Sequence, residues 1–295
     1  MASLTEARRL AAVSPGAFRA GIGWLLVIGL CLQLLGCATH LPERMEAAPT
    51  YAVAADPESR LGRWVEQALG SGEGSAGLFT MGHADDGFTA RMQLAERADH
   101  SIDAQYYLVD DDVSGRLFLG RLLAAADRGV RVRLLIDDID LEGRDALLAG
   151  LDAHPHFDLR VFNPFSREGS RGAQFLSRFE EVSHRMHNKS FTVDNLVTLL
   201  GGRNIGDQYF SADPEIGFLD LDLMAIGSPV AAVSAQFDLY WNSSLAYPAT
   251  VLLPGVSADA RQGALDALRK AALQAAQTPF AIASGQSELA RRIQD

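Results

Sequence analysis

The most informative stretch of the sequence covers residues 187–204 and reads HNKSFTVDNLVTLLGGRN. Apolar and β-branched residues fill most of positions 190–193 and 196–200, and the polar pair Asp194-Asn195 lies between them. Such a pattern predicts two strands, 189–193 and 197–201, joined by a tight turn at residues 194–195. Because alternate residues of a strand share one face, His187 and Lys189 are expected to project together.

Groups suited to phosphate chemistry stand at the ends of this predicted hairpin. Gly201 and Gly202 end the return strand, where missing side chains would let a ligand approach the backbone, and Asn204 follows with an amide. An imidazole can act as nucleophile or carry a proton, and an ammonium and an amide can hold charged oxygens in a transition state. The residues therefore predict a phosphate-directed catalytic site, with a buried strand pair and an ordinary histidine as the alternative.

Segments around this stretch alternate between helix and strand patterns. Helices are predicted at 61–69, 85–98, 113–128, 144–153, 230–241 and 258–276, and strands at 101–108, 130–136, 157–162 and 220–226, with a long loop at 163–185. This alternation predicts an α/β fold in which helices flank a mixed central sheet. No internal repeat is visible, so a single copy of the domain is expected.

Six positions of residues 187–204 fit the pattern H-x-K-x4-D-x6-G-G-x-N, which resembles the signature of the phospholipase D superfamily. The flanking segments resemble the bacterial cardiolipin synthase branch: FNPF at 162–165, RMHNKSF at 185–191, GGRNIGD at 201–207, DLD at 220–222 and YWNS at 240–243. The resemblance implies a phospholipase D-like domain over residues 78–256.

The resemblance also implies roles for the motif residues. His187 would form a covalent phosphohistidine, and Lys189, Gly202 and Asn204 would hold the phosphate. Asp194 belongs to the catalytic motif but would act mainly in the structure. Neither a metal ion nor another cofactor is expected, because the family needs none.

A further acidic residue would orient the imidazole in such an enzyme. Asp222, on a later predicted strand, is the best match for that residue, and Asp220 is a close competitor.

Enzymes of this family combine two motifs, and the second histidine protonates the leaving group. This sequence carries one copy, because its only other lysine is Lys270 and residue 268 is leucine instead of histidine. Two explanations stay open. A homodimer could complete the active site, or the predicted helical segment 257–295 could be the start of a missing second domain.

The N-terminal 37 residues have the pattern of an export signal. Arg8, Arg9 and Arg19 precede an apolar run at 22–36, and Leu34-Leu35-Gly36-Cys37 resembles a bacterial lipoprotein box. We therefore expect lipidation at Cys37, a linker at 38–77, and a lipoprotein anchored in the bacterial envelope and facing the periplasm. Two alternatives stay open. One is an uncleaved anchor helix, which would place the rest of the chain on the same side of the membrane. The other is a wrong start codon.

Charge and composition narrow the classes of function. The net charge is −11, and non-specific nucleic-acid binding requires many basic groups. Cys31 and Cys37 are the only cysteines, so residues beyond Cys37 can form neither a disulfide nor a thiolate metal site. Lys189 stands out because 24 of the 26 basic residues are arginine, which suggests that its compact charge is needed.

These observations favour a phospholipid phosphodiesterase or phosphatidyl transferase that acts at a membrane, with a phospholipid as its partner. Two other functions stay open. One is a metal-independent nuclease of the same superfamily, against which the net acidity argues. The other is an inactive, truncated phospholipid-binding or scaffold protein, which the single motif would explain.

Overall fold

A mixed sheet of eight strands lies at the centre of the described chain. The computed structural model describes residues 41–42, 48–70, 75–168, 170–177, 179–213, 215 and 217–294. The strands are β1 (Ala76–Met81), β2 (Ser101–Tyr106), β3 (Arg131–Asp137), β4 (Phe157–Phe162), β5 (Ser190–Val193), β6 (Val197–Gly201), β7 (Asp222–Gly227) and β8 (Ala246–Pro248). Their order is β1-β7-β6-β5-β2-β3-β4-β8, in which β2, β3 and β4 run parallel and all other neighbours antiparallel. The predicted mixed central sheet is confirmed.

Helices cover both faces of this sheet. They are α1 (Arg60–Leu69), α2 (Ala84–Arg97), α3 (Val113–Asp127), α4 (Asp145–Asp152), α5 (Arg171–Ser177), α6 (Phe179–Val182), α7 (Ser228–Trp241), α8 (Ala249–Leu252), α9 (Ala258–Ala275), α10 (Pro279–Gly285) and α11 (Glu288–Gln294). Most predicted elements lie within a few residues of these bounds. Segment 163–185, predicted as a loop, contains α5 and α6.

Alternation along the strands separates two cores. Ile102 and Ala104 of β2 and Leu134 of β3 pack in the larger core, together with Phe118 and Leu122 of α3. On the opposite face, the smaller core consists of Leu135, Phe162, Met186, Phe237, Trp241 and Ala246, of which two belong to α7. Because successive strand residues point to opposite faces, Leu134 and Leu135 contribute to different cores.

Part of the segment expected to be a linker, 38–77, packs on the domain. The Trp241 indole N–H donates to Thr50 Oγ1 at 2.8 Å, and the Asn242 side chain donates to the Thr50 carbonyl at 2.9 Å. Further along, α1 matches the predicted short helix, and β1 forms the edge of the sheet beside β7. The domain therefore includes residues before position 78.

The predicted C-terminal helical segment 257–295 packs on the same domain through α9. A Cβ on Gly120 of α3 would lie 2.4 Å from the Ala272 Cβ, and one on Gly150 of α4 would lie 3.2 Å from Leu265 Cγ. Glycine at both positions therefore allows α9 to approach closely.

The expected signal peptide and lipoprotein box at 1–37, with Cys37, lie outside the described residues. Within the part of the chain that the structure describes, no helix has both the length and the apolar character that a membrane span needs.

Candidate active site

The predicted catalytic and phosphate-binding residues other than Asp194 lie at one end of the sheet, whereas Asp194 lies at the opposite end, beside the beginning of β2. Lys189 directly precedes β5, whose first residue, Ser190, pairs with Gln105 of β2 on one side and with Leu200 of β6 on the other. Because β5 runs antiparallel to both neighbours, its beginning lies beside their ends. Residues that follow β2 and β6, such as Tyr107 and Asn204, therefore lie at the same end of the sheet as the residues that precede β5.

His187 and Lys189 lie against a shared aromatic ring. The His187 side chain is exposed, whereas Lys189 is 6% exposed and its Nζ donates to the His187 carbonyl at 2.8 Å. The ring centroids of His187 and Tyr107 are 4.8 Å apart, and Lys189 Nζ lies 5.3 Å from the Tyr107 centroid. Solvent thus reaches the imidazole while the ammonium is held beneath it.

The pKa values of both groups are lowered. Partial burial, followed by the charge of Lys189, holds the pKa of His187 below its ordinary value. Burial lowers the pKa of Lys189 to about 8, and the nearby Asp220 carboxylate opposes that shift. At pH 7 the imidazole is therefore mostly neutral, as a nucleophile must be, while most Lys189 side chains still carry their charge.

Asn204 is buried at the same end of the sheet. Its Oδ1 accepts from the Leu108 N–H at 3.1 Å, and its Nδ2 donates to the Tyr209 hydroxyl at 2.9 Å. A primary amide nitrogen carries two hydrogens. Among the described residues the Nδ2 group contacts Tyr209 alone, so its second N–H can bind a ligand.

The segment after Asn204 is tied to the segment after β2. The Asp207 carboxylate accepts from the Ser114 N–H at 2.7 Å, and the Asp112 carboxylate accepts in return from the Asp207 N–H at 2.6 Å. Asp112 also caps α3, because it accepts from the Gly115 N–H at 2.8 Å. These two carboxylates thus connect the segment after β6 to the segment after β2, and one of them also caps α3.

Asp194 acts within the fold. Its side chain is 1% exposed and accepts from the backbone N–H groups of Asp99, His100 and Ser101 at 2.8–2.9 Å. Its φ of +52° and the +54° of Asn195 form a turn, in which the Leu196 N–H donates to the Val193 carbonyl at 3.0 Å. Positive φ at both central residues matches the twist of a hairpin. The carboxylate therefore connects the hairpin to the beginning of β2.

The paired glycines make room for the chain itself. A Cβ on Gly201 would lie 2.0 Å from Asp222 Oδ1, and one on Gly202 would lie 2.2 Å from Asp220 Oδ2. The missing side chains therefore let the beginning of β7 approach, whereas the sequence predicted the approach of a ligand at this point.

Asp222, the predicted orienting acid, lies in a buried ion pair. Its oxygens accept from Arg91 Nη1 at 2.8 Å and Arg91 Nη2 at 3.2 Å, and Arg203 Nη1 lies 3.4 Å away. Among the described residues, no contact joins Asp222 to His187. The competitor Asp220 is exposed and lies close enough to Lys189 to affect its pKa.

Arg203, which stands between Gly202 and Asn204 in the motif, is buried in the fold. It is 1% exposed and donates to the carbonyls of Gly82 and Asp220, the former at 3.0 Å. Its guanidinium therefore connects the chain after β1 to the segment before β7.

Tyr107 and Tyr209 are site residues that the motif does not include. Adjacent residues of a strand face opposite ways, and the hydroxyl of buried Tyr106 accepts from Arg91 Nε at 2.8 Å. Its neighbour Tyr107 therefore points to the other side, against His187. Tyr209 had no comparable signal, because its contact with Asn204 depends on the short helical turn Asp207–Tyr209.

Within the described residues, no cluster of three or more histidine, cysteine, aspartate or glutamate side chains could hold a metal ion.

Comparison with known proteins gives consistent matches. A family model described as cardiolipin synthase, PLD-like domain, matches residues 92–241, just over half of the chain. Cardiolipin synthase C of Escherichia coli is 54% identical over 168 residues, which are 57% of this chain and 36% of that protein. An uncharacterized protein of Helicobacter pylori is 38% identical over 173 residues, 57% of this chain and 34% of that protein. The chain thus spans about a third of the length of these relatives.

Solved structures also resemble the chain. Phosphatidylserine synthase of Haemophilus influenzae matches with a TM-score of 0.45 and 17% identity, over 74% of this chain and 49% of that one.

Proposed function

The chain belongs to the cardiolipin synthase, PLD-like domain family, and from that premise we propose that it transfers or hydrolyses the phosphatidyl group of a phospholipid through a phosphohistidine on His187. The observation that carries the proposal is the solvent-exposed, mostly neutral His187 imidazole beside the Lys189 ammonium, with the Asn204 amide at the same end of the sheet.

The proposed reaction has two displacements at phosphorus. An imidazole nitrogen of His187 attacks first, so that a P–N bond forms while the P–O bond to the leaving alcohol breaks, and the departing alkoxide takes up a proton. A hydroxyl group of an acceptor then attacks phosphorus, gives up its proton and releases the imidazole. Lys189 and Asn204 stabilise the charge on the non-bridging oxygens in both steps. Water as acceptor gives hydrolysis, and a lipid alcohol gives transfer.

Exposed apolar side chains next to the site support a lipid substrate. Phe218, Leu219 and Leu221 flank Asp220, and Leu219 is fully exposed. Neighbouring apolar side chains in water favour contact with an apolar ligand or surface. A net charge of −11 disfavours a polyanionic nucleic acid. The name of the E. coli relative, cardiolipin synthase C, agrees with a lipid substrate.

We further propose that a second copy of the chain supplies the acid that the leaving group requires. The sequence contains one motif, and the neutral His187 imidazole cannot serve as nucleophile and as proton donor in the same step. A two-fold dimer with both sites at one interface would bring two His187 side chains together. One imidazole would then attack while the other protonates the leaving alkoxide.

The proposed location is the membrane surface of the bacterial envelope, through a lipid on Cys37. The support is the apolar run at 22–36 followed by the lipoprotein-box pattern that ends at Cys37. Cys37→Ala is expected to release the protein from membranes or leave it unprocessed. Normal processing and retention of that variant would instead favour an uncleaved anchor helix.

The proposed activity is tested with vesicles that contain phosphatidylglycerol, with and without EDTA, and with His187→Ala as the control. Lipid mass spectrometry is expected to detect cardiolipin with free glycerol, or phosphatidic acid with free glycerol, in both conditions. An identical product yield from His187→Ala would refute the role of His187, and plasmid cleavage without lipid turnover would favour the nuclease.

A further inference from the structure

His187, the proposed nucleophile, lies outside the sheet. His187 precedes the first residue of β5, Ser190, by three positions. The ladder hydrogen bonds of the sheet therefore do not fix its backbone, although a nucleophile needs a fixed position relative to the groups that hold the phosphate. Other contacts must hold this segment.

A buried carboxylate at the end of β3 supplies such contacts. Asp137 is 1% exposed, and its Oδ2 accepts from the Met186 backbone N–H at 2.9 Å. Its Oδ1 accepts from Arg185 Nη1 at 2.9 Å and from the Ile139 N–H at 2.9 Å. Asp137 thus holds both residues that directly precede His187.

Contacts from the end of β4 and from β2 fix the same segment. The Asn163 side chain donates to the His184 carbonyl at 2.8 Å, and Arg185 Nη2 donates to the Asn163 carbonyl at 2.6 Å. The Met186 side chain is 1% exposed in the smaller core, where Gln105 Nε2 lies 3.0 Å from its sulfur. Residues 184–186 are therefore held through backbone and side chains.

We propose that Asp137 is a positioning residue, which holds the Arg185-Met186 segment so that the His187 ring stays against Tyr107 and beside Lys189. It acts through Met186 and touches neither substrate nor the reacting atoms. The catalytic consequence rests on the proposed function, whereas the placement of the ring does not.

Burial disfavours the charged form of the Asp137 carboxylate. Burial raises its pKa to about 6, although Arg185 and two backbone N–H groups oppose that rise. Burial thus disfavours the ionised form of Asp137, and yet this carboxylate binds the segment before the nucleophile. Side chains with shifted pKa values occur often at functional sites, which agrees with a functional role for Asp137.

The adjacent residue provides a matched control. Asp138 is also fully buried, and its carboxylate accepts from the Phe165 N–H at 2.7 Å, Arg167 Nη1 at 2.6 Å and Arg171 Nη2 at 3.0 Å. It holds the segment after β4 and makes none of the described contacts to residues 184–186. Asp138→Asn therefore reproduces the loss of a buried charge without releasing His187.

The test compares Asp137→Asn with Asp138→Asn in the full chain by three measurements. The first is thermal stability, and the second is the imidazole pKa of His187 from a nuclear magnetic resonance titration, assigned with His187→Ala. The third is kcat and KM on phosphatidylglycerol vesicles.

In Asp137→Asn the freed ring gains solvent, so its pKa is expected to rise toward about 6.5. The kcat is expected to fall about 100-fold with little change in KM, because misplacement by about 1 Å costs that much.

Asp138→Asn is expected to lose comparable stability while keeping the lowered His187 pKa and most of its kcat. The same response from both variants, or an unchanged His187 pKa in Asp137→Asn, would overturn the proposal. The titration needs no turnover, so it decides the proposal even if the wild-type chain proves inactive. If Asp137→Asn does not fold, Asp137→Glu keeps the charge but displaces it by one methylene, and the same rise in His187 pKa is expected.

Discussion

The Tyr107 ring lies against the His187 ring, with 4.8 Å between centroids and 58° between planes. Because Lys189 Nζ lies 5.3 Å from the same Tyr107 centroid, one aromatic side chain contacts both the imidazole and the ammonium of the proposed reaction. Tyr107 is therefore the first residue outside the motif to substitute.

Tyr107→Leu is expected to lower kcat roughly 10-fold, since aromatic and cation–π contacts contribute about 0.5–2 kcal/mol. Loss of the ring also exposes the imidazole, so the His187 pKa is expected to rise. Tyr107→Phe, the matched control, keeps the ring and is expected to remain near wild type. Equal activity of the two variants would show that the ring contact has no functional effect.

The rate is expected to fall at both low and high pH, which gives a bell-shaped pH profile. His187 must be neutral to attack, and its pKa is lowered, so activity falls only as the pH decreases to values below about 6.5. Lys189 must be charged, and its pKa is about 8, so activity falls as the pH rises through that value. In the proposed dimer the second imidazole must also be protonated to act as the acid, so its deprotonation adds to the loss of activity on the alkaline side. A pH series of kcat/KM on vesicles measures both limbs, and a rate that stays flat from pH 7 to 10 would contradict the role of the ammonium.

Asp194→Gly is expected to lower the free energy of unfolding by about 3 kcal/mol or more, because three buried N–H groups lose a charged acceptor. Glycine tolerates the positive φ, so the change isolates the carboxylate. Asn195→Gly, the control at the second positive-φ position, loses the Ser234 contact and is expected to cost about 1 kcal/mol. Denaturant unfolding measures both, and equal losses would mean that the three contacts of Asp194 are unimportant.

Short-range patterns account for what the sequence predicted well. The hairpin around Asp194-Asn195 and helix α9 are encoded by consecutive residues, through turn chemistry and apolar periodicity. The motif spacing likewise fixed the neighbourhood of His187, Lys189 and Asn204, because strands β5 and β6 and their turn are contiguous.

Contacts between distant segments account for what the sequence did not reveal. Arg91 is 131 residues from Asp222, so no local pattern of the sequence indicated the buried ion pair. Asp137 reaches Met186 across 49 residues for the same reason. The edge strand β1 was missed because most of its residues are exposed, so that its pattern did not stand out from a linker.

The dimeric site is tested by mixing wild type with His187→Ala under conditions that allow subunit exchange. If each site needs two His187 side chains, an equal mixture is expected to retain roughly a quarter of the activity, because only wild-type pairs are complete. An independent site in each chain would retain about half. Analytical ultracentrifugation of the same samples establishes whether pairs form.

The central claim is that His187 becomes covalently bound to the phosphatidyl group. The most direct measurement is peptide mass spectrometry after a brief reaction with phosphatidylglycerol vesicles, quenched in alkaline denaturant so that the P–N bond survives. We expect a phosphatidyl adduct on the peptide that contains His187, and its absence in His187→Ala. Turnover with no adduct at His187, or an adduct on another residue, would contradict the account.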